Sequence, residues 1–231
     1  MKIHGFQKTT LLDFPEKVAC TVFTGGCNFR CPFCHNAPLV LDPDSAPCFD
    51  EDEIISYLIK RRGILDGLCV TGGEPLMNAD IGDFLRRVKD VGLAVKVDTN
   101  GTFPAHLKSL VSDGLVDYVA MDIKNSPEKY ASTAGVLNPK LDKIQESIDF
   151  LLSGAVDFEF RTTAAKETHT PADFVKIGEW ISGAPRYFIQ AYKSSGALVG
   201  DELTPMTKEE YTECLHNIAP FVQYAKIRGI D

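Results

Sequence analysis

The sequence predicts an α/β fold: a partial, open β/α barrel of the TIM type with about six strand–helix units. Three observations predict it. Short β-rich apolar runs alternate with amphipathic stretches along most of the chain, which implies parallel strands joined by right-handed crossovers. Several of those runs are apolar almost throughout, as strands buried on both faces are. A complete eight-unit barrel typically needs about 250 residues, whereas these 231 must also supply an N-terminal arm and long loops. A doubly wound sheet is the alternative. In either architecture chemistry belongs at the C-terminal ends of the strands.

The elements follow in order. The opening stretch MKIHGFQKTTLLDFPEK reads as an arm without the apolar core of a signal peptide. Strands are expected at 17–23 (KVACTVF), 67–72 (GLCVTG), 93–99 (LAVKVDT), 117–124 (DYVAMDIK), 157–163 (DFEFRTT) and 186–192 (RYFIQAY), with 221–229 as the last. A helix at 50–61 places Ile54, Ile55, Leu58 and Ile59 at helical spacing behind the acidic start DEDE, which suits a helix N-terminus. The stretch 79–91 repeats the pattern with Ile81, Phe84, Leu85 and Val88. Further helices are expected at 104–112, opened by Pro104, and at 139–153, 171–181 and 207–219. In the last, Thr207 and Glu210 stand at capping-box spacing. No repeat, low-complexity tract or linker divides the chain, so residues 1–231 read as a single domain.

Composition excludes several classes. There are 24 Lys+Arg against 32 Asp+Glu, a formal charge of −8, which argues against a nucleic-acid partner that would need a basic footprint. No run of about 18 apolar residues exists, so no membrane span is expected, and a cytoplasmic protein is the reading. Seven cysteines, an odd number without an export signal, argue against a disulfide framework. Cys27, Cys31 and Cys34 cluster within eight residues, while Cys20, Cys48, Cys69 and Cys214 are scattered and read as packing residues.

The cysteine cluster lies in FTGGCNFRCPFCHN, from Phe23 to Asn36, directly after the first strand. Three thiolates at these spacings can converge from one loop on one metal centre. Four ligands usually close a structural zinc site or an electron-transfer cluster; three ligands on four irons leave one iron open to a small molecule. Zinc held by Cys27, Cys31, Cys34 and His35 is a competing reading, but adjacent Cys34 and His35 are poorly placed to reach one ion. Packing as small hydrophobes is another, and crowding beside Gly25, Gly26 and Pro32 counts against it.

Three more motifs stand at strand ends. Gly72 and Gly73 let the backbone approach a ligand closely and Glu74 puts a carboxylate at the barrel mouth, although a plain turn would look alike. Asp98, Thr99, Asn100 and Gly101 end the third strand, and Asp122 and Lys124 the fourth. Asp98 can accept from ribose hydroxyls or an ammonium, and Lys124 can pair with a carboxylate; a turn cap and a solvated cation are the bland alternatives. Their recurrence at consecutive strand ends favours a site.

Cys-x3-Cys-x2-Cys after the first strand of a β/α chain resembles the radical S-adenosylmethionine (SAM) enzymes. The stretch Phe23 to Asn36 looks like their glycyl-radical-enzyme activases. LDFPEKVA from Leu12 to Ala19, with the ending Ile227, Arg228 and Gly229, looks most like the subgroup serving anaerobic ribonucleoside-triphosphate reductase. The resemblance implies a radical SAM core in which Cys27, Cys31 and Cys34 bind a [4Fe–4S] cluster. It implies that Gly72, Gly73 and Glu74 hold the SAM amino group, and that Asp98, Asn100, Asp122 and Lys124 complete the SAM contacts. It also implies a monovalent cation beside the SAM carboxylate, matched by Asp98, Thr99 and Asp122.

The implied reaction is one-electron reduction by a flavodoxin- or ferredoxin-type donor and cleavage of SAM to methionine and a 5′-deoxyadenosyl radical. That radical removes hydrogen from a glycine of the partner reductase. No catalytic residue beyond the cluster and SAM ligands is expected. A small-molecule radical SAM enzyme resembling deazapurine synthases would share these residues, and a non-catalytic Fe–S electron carrier is the rival from another class. Arg161 reads either as lining the adenosyl or substrate side or as structural. Two departures stand out: Tyr192-Lys193 where some activases carry Tyr-His, and Glu16 where relatives often have glycine. His4, His106, His169 and His216 stand in no motif and receive no role.

Overall fold

The structure is a computed structural model that describes residues 1–194 and 197–230. Its eight strands are β1 (Ile3–Thr10), β2 (Ala19–Thr24), β3 (Gly67–Gly72), β4 (Ala94–Thr99), β5 (Tyr118–Asp122), β6 (Asp157–Ala164), β7 (Tyr187–Ala191) and β8 (Ala225–Arg228). They form one sheet in chain order, with β1 antiparallel to β2 and all later pairs parallel. That order decides between the two expected architectures. A doubly wound sheet reverses its strand order at a switch point; here every crossover advances the same way. Right-handed crossovers then put the helices on one face and curl the sheet around the other. No β8–β1 pairing closes the ring among the described residues, so the barrel is open.

The helices are α1 (Ala37–Leu41), α2 (Glu51–Lys60), α3 (Ile81–Val91), α4 (Pro104–Ser112), α5 (Tyr130–Ala134), α6 (Leu141–Leu152), α7 (Asp173–Trp180) and α8 (Lys208–Ile218). Six strand–helix units result, as expected, with β8 closing the series. Asp50 caps α2 by accepting from Asp52 N and Glu53 N, and the Thr207–Glu210 capping box opens α8. Ile54, Ile55 and Leu58 are buried, whereas Ile59 is exposed. Two helices lack any advance signal: α1 and α5 have five residues each, too few for a 3.6-residue period to be read.

The arm corrects the sequence reading. Residues Ile3–Thr10 are a strand, registered from Ile3 opposite Thr24 to Thr10 opposite Ala19 with irregularities between. As an edge strand it leaves Gln7, Lys8 and Thr9 exposed, so no apolar run marks it. The cysteines also need one correction: Cys20, Cys69 and Cys214 are packed inside, but Cys48 is exposed. No helix among the described residues is long and apolar enough to cross a membrane.

The two faces of the curled sheet differ in chemistry. Val22, Val70, Val97, Val119, Phe160 and Ile189 are fully buried with helix residues Leu58, Phe84, Leu107, Ile148 and Ile177. The alternate positions Thr21, Thr71, Asp98, Asp122, Arg161 and Gln190 line a cavity instead. Strand periodicity therefore delivers an apolar layer outward and a polar one inward.

The turn from β1 to β2 carries a strained residue. Glu16 is exposed and has φ of 62°, in the left-handed region that favours glycine. Glu16→Gly is expected to stabilise the fold by up to about 1 kcal/mol, the relief outweighing the added unfolded-state freedom. Thermal melting should rise by a few degrees; an unchanged or lower midpoint would contradict the strain.

Candidate functional site

The C-terminal ends of the strands surround a cavity of about 530 Å³. Cys27, Cys31 and Cys34 all line it, together with Gly72, Gly73, Glu74, Asp98, Asn100, Asp122 and Lys124. Every site residue expected from the sequence is thus brought to one place. Burial pushes the Cys27 thiol up to about 11 and Cys31 up to about 12, so a bound metal would have to displace their protons. Among the described residues no three His, Cys, Asp or Glu side chains converge tightly enough for a single ion. Three thiols around one roomy cavity suit a polynuclear cluster, where each sulfur meets a different iron.

Contacts that the sequence reading missed hold the cysteine loop. Asn28 Nδ2 donates to Thr102 Oγ1 at 2.9 Å, and Asn100 Nδ2 donates to Asn28 Oδ1 at 2.8 Å. Asn36 Nδ2 donates to the Gly72 carbonyl at 2.8 Å. His35 stacks on Tyr192 with ring centroids 5.8 Å apart, and its Nε2 donates to the Lys193 carbonyl at 2.7 Å. The Tyr192-Lys193 departure therefore still supplies a contact, but to the loop. Asn28, Asn36 and His35 flank the cysteines within the motif, and that placement was the available signal.

Glycine is required where the β3 end meets this loop. Gly73 N donates to Thr24 O at 2.9 Å and Glu74 N to Gly26 O at 2.8 Å. A Cβ on Gly73 would stand 1.7 Å from Gly26 O. Backbone meets backbone there, with no side chain able to yield.

Glu74 is only 1% exposed. Its Oε1 accepts from Leu76 N at 3.1 Å and Thr99 Oγ1 at 2.8 Å, and its Oε2 accepts from Asn100 N at 2.7 Å. No cationic side chain pairs with it among the described residues. Burial raises its carboxyl to about 7 despite those three donors. One of its four lone-pair directions stays free to accept from a ligand.

A chain of charges crosses β4, β5 and β6. Lys96 pairs with Asp98 Oδ1; Arg161 Nη1 stands 3.2 Å from Asp98 Oδ2 and its Nε 3.0 Å from Asp122 Oδ1; Lys124 Nζ stands 2.9 Å from Asp122 Oδ2. Burial would raise both carboxyls, but Arg161 with Lys96 holds Asp98 low, and Arg161 with Lys124 holds Asp122 at about 2. Asp98 is therefore neither a turn cap nor a free acceptor, and Arg161 is structural to this wall. Lys124 lines the cavity and shares its carboxylate partner Asp122 with Arg161, so its ammonium can also meet an anionic ligand group. His169, given no role from the sequence, is buried and donates from Nε2 to the Lys124 carbonyl at 2.8 Å. Burial lowers it to about 4, so it stays neutral.

Residues 21–162 match the model of the Radical SAM superfamily. A protein of Methanocaldococcus jannaschii described as a candidate glycyl-radical enzyme activating enzyme is 29% identical over 99% of this chain and 96% of its own length. A candidate GTP 3′,8-cyclase of Halobacterium salinarum is 31% identical over 54% of this chain but only 37% of its own length. The crystal structure of Streptococcus suis SuiB bound to S-adenosylmethionine shares the fold, with a TM-score of 0.69 at 11% identity, covering 89% of this chain and 49% of that one. The chain thus spans nearly all of the first relative and half or less of the other two. With the matched stretch running from β2 into β6 and carrying the three cysteines and the strand-end residues Gly72 to Glu74, Asp98 to Asn100, Asp122 and Lys124 of the cavity, this chain belongs to the radical SAM superfamily.

Proposed function

We propose that the protein is an activase that generates a glycyl radical on a partner enzyme, and that the partner is anaerobic ribonucleoside-triphosphate reductase. The observation that carries the cofactor reading is the charge pattern of the cavity: an unpaired buried carboxylate at Glu74 and the Lys124 ammonium, which shares its carboxylate partner with Arg161, line the same space. That pair of needs is met by the ammonium and carboxylate of an amino acid, the polar end of SAM. Cys27, Cys31 and Cys34 would hold a [4Fe–4S] cluster, Glu74 with the backbone of Gly72 and Gly73 would take the amino group, and Lys124 would take the carboxylate. Asp98, Asn100 and Asp122 would serve one step removed, since their polar atoms already face Lys96, Arg161, Lys124 and Asn28. When bound, the reduced cluster supplies the electron that cleaves SAM to a 5′-deoxyadenosyl radical. The chain's own part is to ligate, orient and exclude water.

The substrate reading rests on the end-to-end likeness to the M. jannaschii protein and on the open barrel, whose unpaired edges leave a macromolecular substrate access to the cavity. A flavodoxin- or ferredoxin-type protein is the proposed electron donor. Reconstituted, reduced protein mixed with SAM and the reductase should give a glycine-centred doublet by electron paramagnetic resonance. SAM cleavage without that doublet would overturn the assigned partner.

Glu74 makes SAM binding pH-dependent. Its carboxyl is raised, so free protein carries a proton there below about 7 and a buried, unpaired charge above it. Pairing with an ammonium favours the ionised form. Binding is therefore expected to release a proton and to tighten as pH rises through about 7. Calorimetry of the reconstituted protein in two buffers of different ionisation heat measures the release. Equal heats, or a Glu74→Gln variant with the same pH profile, would remove Glu74 from the ammonium contact.

A further inference from the structure

The residues expected to hold a monovalent cation do not fit one. All four oxygens of Asp98 and Asp122 already face nitrogens of Lys96, Arg161 and Lys124. The third expected ligand, Thr99, is 3% exposed, donates its hydroxyl to Glu74 Oε1 and accepts from Gly101 N at 3.1 Å. A potassium ion between the carboxylates would have to expel the guanidinium or sit beside it as a like charge in a buried site.

We infer that the Arg161 guanidinium stands in for the cation, so that this chain binds and orients SAM without a monovalent ion. Arg161 is a positioning residue rather than a catalytic one. Its planar fork joins Asp98 on β4 to Asp122 on β5 from its own place on β6, so three neighbouring strand ends are set by one rigid group. Lys124, two residues beyond Asp122, is oriented through the same carboxylate. An added ion would put a further positive charge beside Arg161 and Lys124, whose carboxylate partners are already engaged. The guanidinium stays charged at any working pH, so the arrangement needs no ion supply from solution.

The inference rests on SAM occupying this cavity, and the test separates the two. Reconstituted wild-type protein is assayed for SAM affinity and 5′-deoxyadenosine formation in potassium and in tetramethylammonium chloride. Cluster-free protein is titrated with thallium(I), a potassium surrogate, and followed by thallium NMR. Wild type is expected to behave alike in both salts and to show no saturable thallium site. Arg161→Ala should lose about a hundredfold or more in SAM affinity in tetramethylammonium, the scale of breaking one buried ion pair. Potassium should restore much of that loss, and thallium should then bind. Arg161→Lys keeps the charge and should stay indifferent to potassium. Potassium stimulation of wild type, or saturable thallium binding to it, overturns the inference. If SAM binds in neither salt, the SAM reading falls while the thallium titration still judges Arg161. Should Arg161→Ala fail to fold, the wild-type measurements decide alone.

Discussion

Replacing Gly73 with alanine is expected to abolish 5′-deoxyadenosine formation and to lower the melting temperature. The added Cβ would lie 1.7 Å from Gly26 O and 2.6 Å from Gly26 C, where only backbone can move. Separating the two segments breaks the Glu74 N to Gly26 O hydrogen bond of 2.8 Å and moves the cysteine loop away from Glu74. Overpacking of this kind costs about 1–3 kcal/mol, and for a chain of this size that lowers the melting midpoint by roughly 2–12 °C. Gly82→Ala is the matched control. Gly82 lies in α3, and its Cβ would stand 3.3 Å from the tip of the Leu110 side chain, which needs to shift by only a few tenths of an ångström. Alanine there gains up to about 1 kcal/mol of helix propensity. It should be neutral or stabilising, with SAM cleavage intact. Wild-type cleavage by Gly73→Ala would show that the β3 end and the cysteine loop need not touch.

Cys27→Ser, Cys31→Ser and Cys34→Ser are each expected to eliminate SAM cleavage and to strip most iron from the anaerobically reconstituted protein. Each removes one of the three thiols that line the cavity among the described residues, and serine is a poor ligand for the soft iron–sulfur core. Cys48→Ser, at an exposed position remote in sequence from the motif, should retain full iron and activity. Iron analysis and visible absorbance read the first effect, chromatography of 5′-deoxyadenosine the second. A Cys31→Ser protein with full iron would mean that the cluster is held elsewhere. Loss of iron in Cys48→Ser would say the same.

Much of this was legible in the sequence because it depends on local chemistry. The capping box joins Thr207 to Glu210, three positions on, and the period of Ile81, Phe84, Leu85 and Val88 needs only one helix face. The buried parallel strands announce themselves by apolar runs. Elements without that local excess stayed hidden: β1 pairs on one side and keeps polar residues exposed, and α1 and α5 are too short to show a period. Glu16 is instructive in the same way. The resemblance to the activases made glycine the expected residue at its position, and the φ of 62° supplies the physical reason.

The site divides along the same line. Sequence alone determined which side chains could bear the chemistry: three cysteines in one loop, and the polar strand ends at Gly72 to Glu74, Asp98 to Gly101 and Asp122 to Lys124. Tertiary structure decided what those side chains are free to do. Asn100 is spent on Asn28, 72 residues away, and Asp98 on Arg161, 63 residues away. Glu74 is left without a cation among the described residues. The reason is physical: propensity, caps and periodicity act within a few residues, whereas curling a sheet brings alternate residues of successive strands onto one inner wall. Which charges on that wall neutralise one another depends on strand register and curvature, and neither is written in any single stretch of chain.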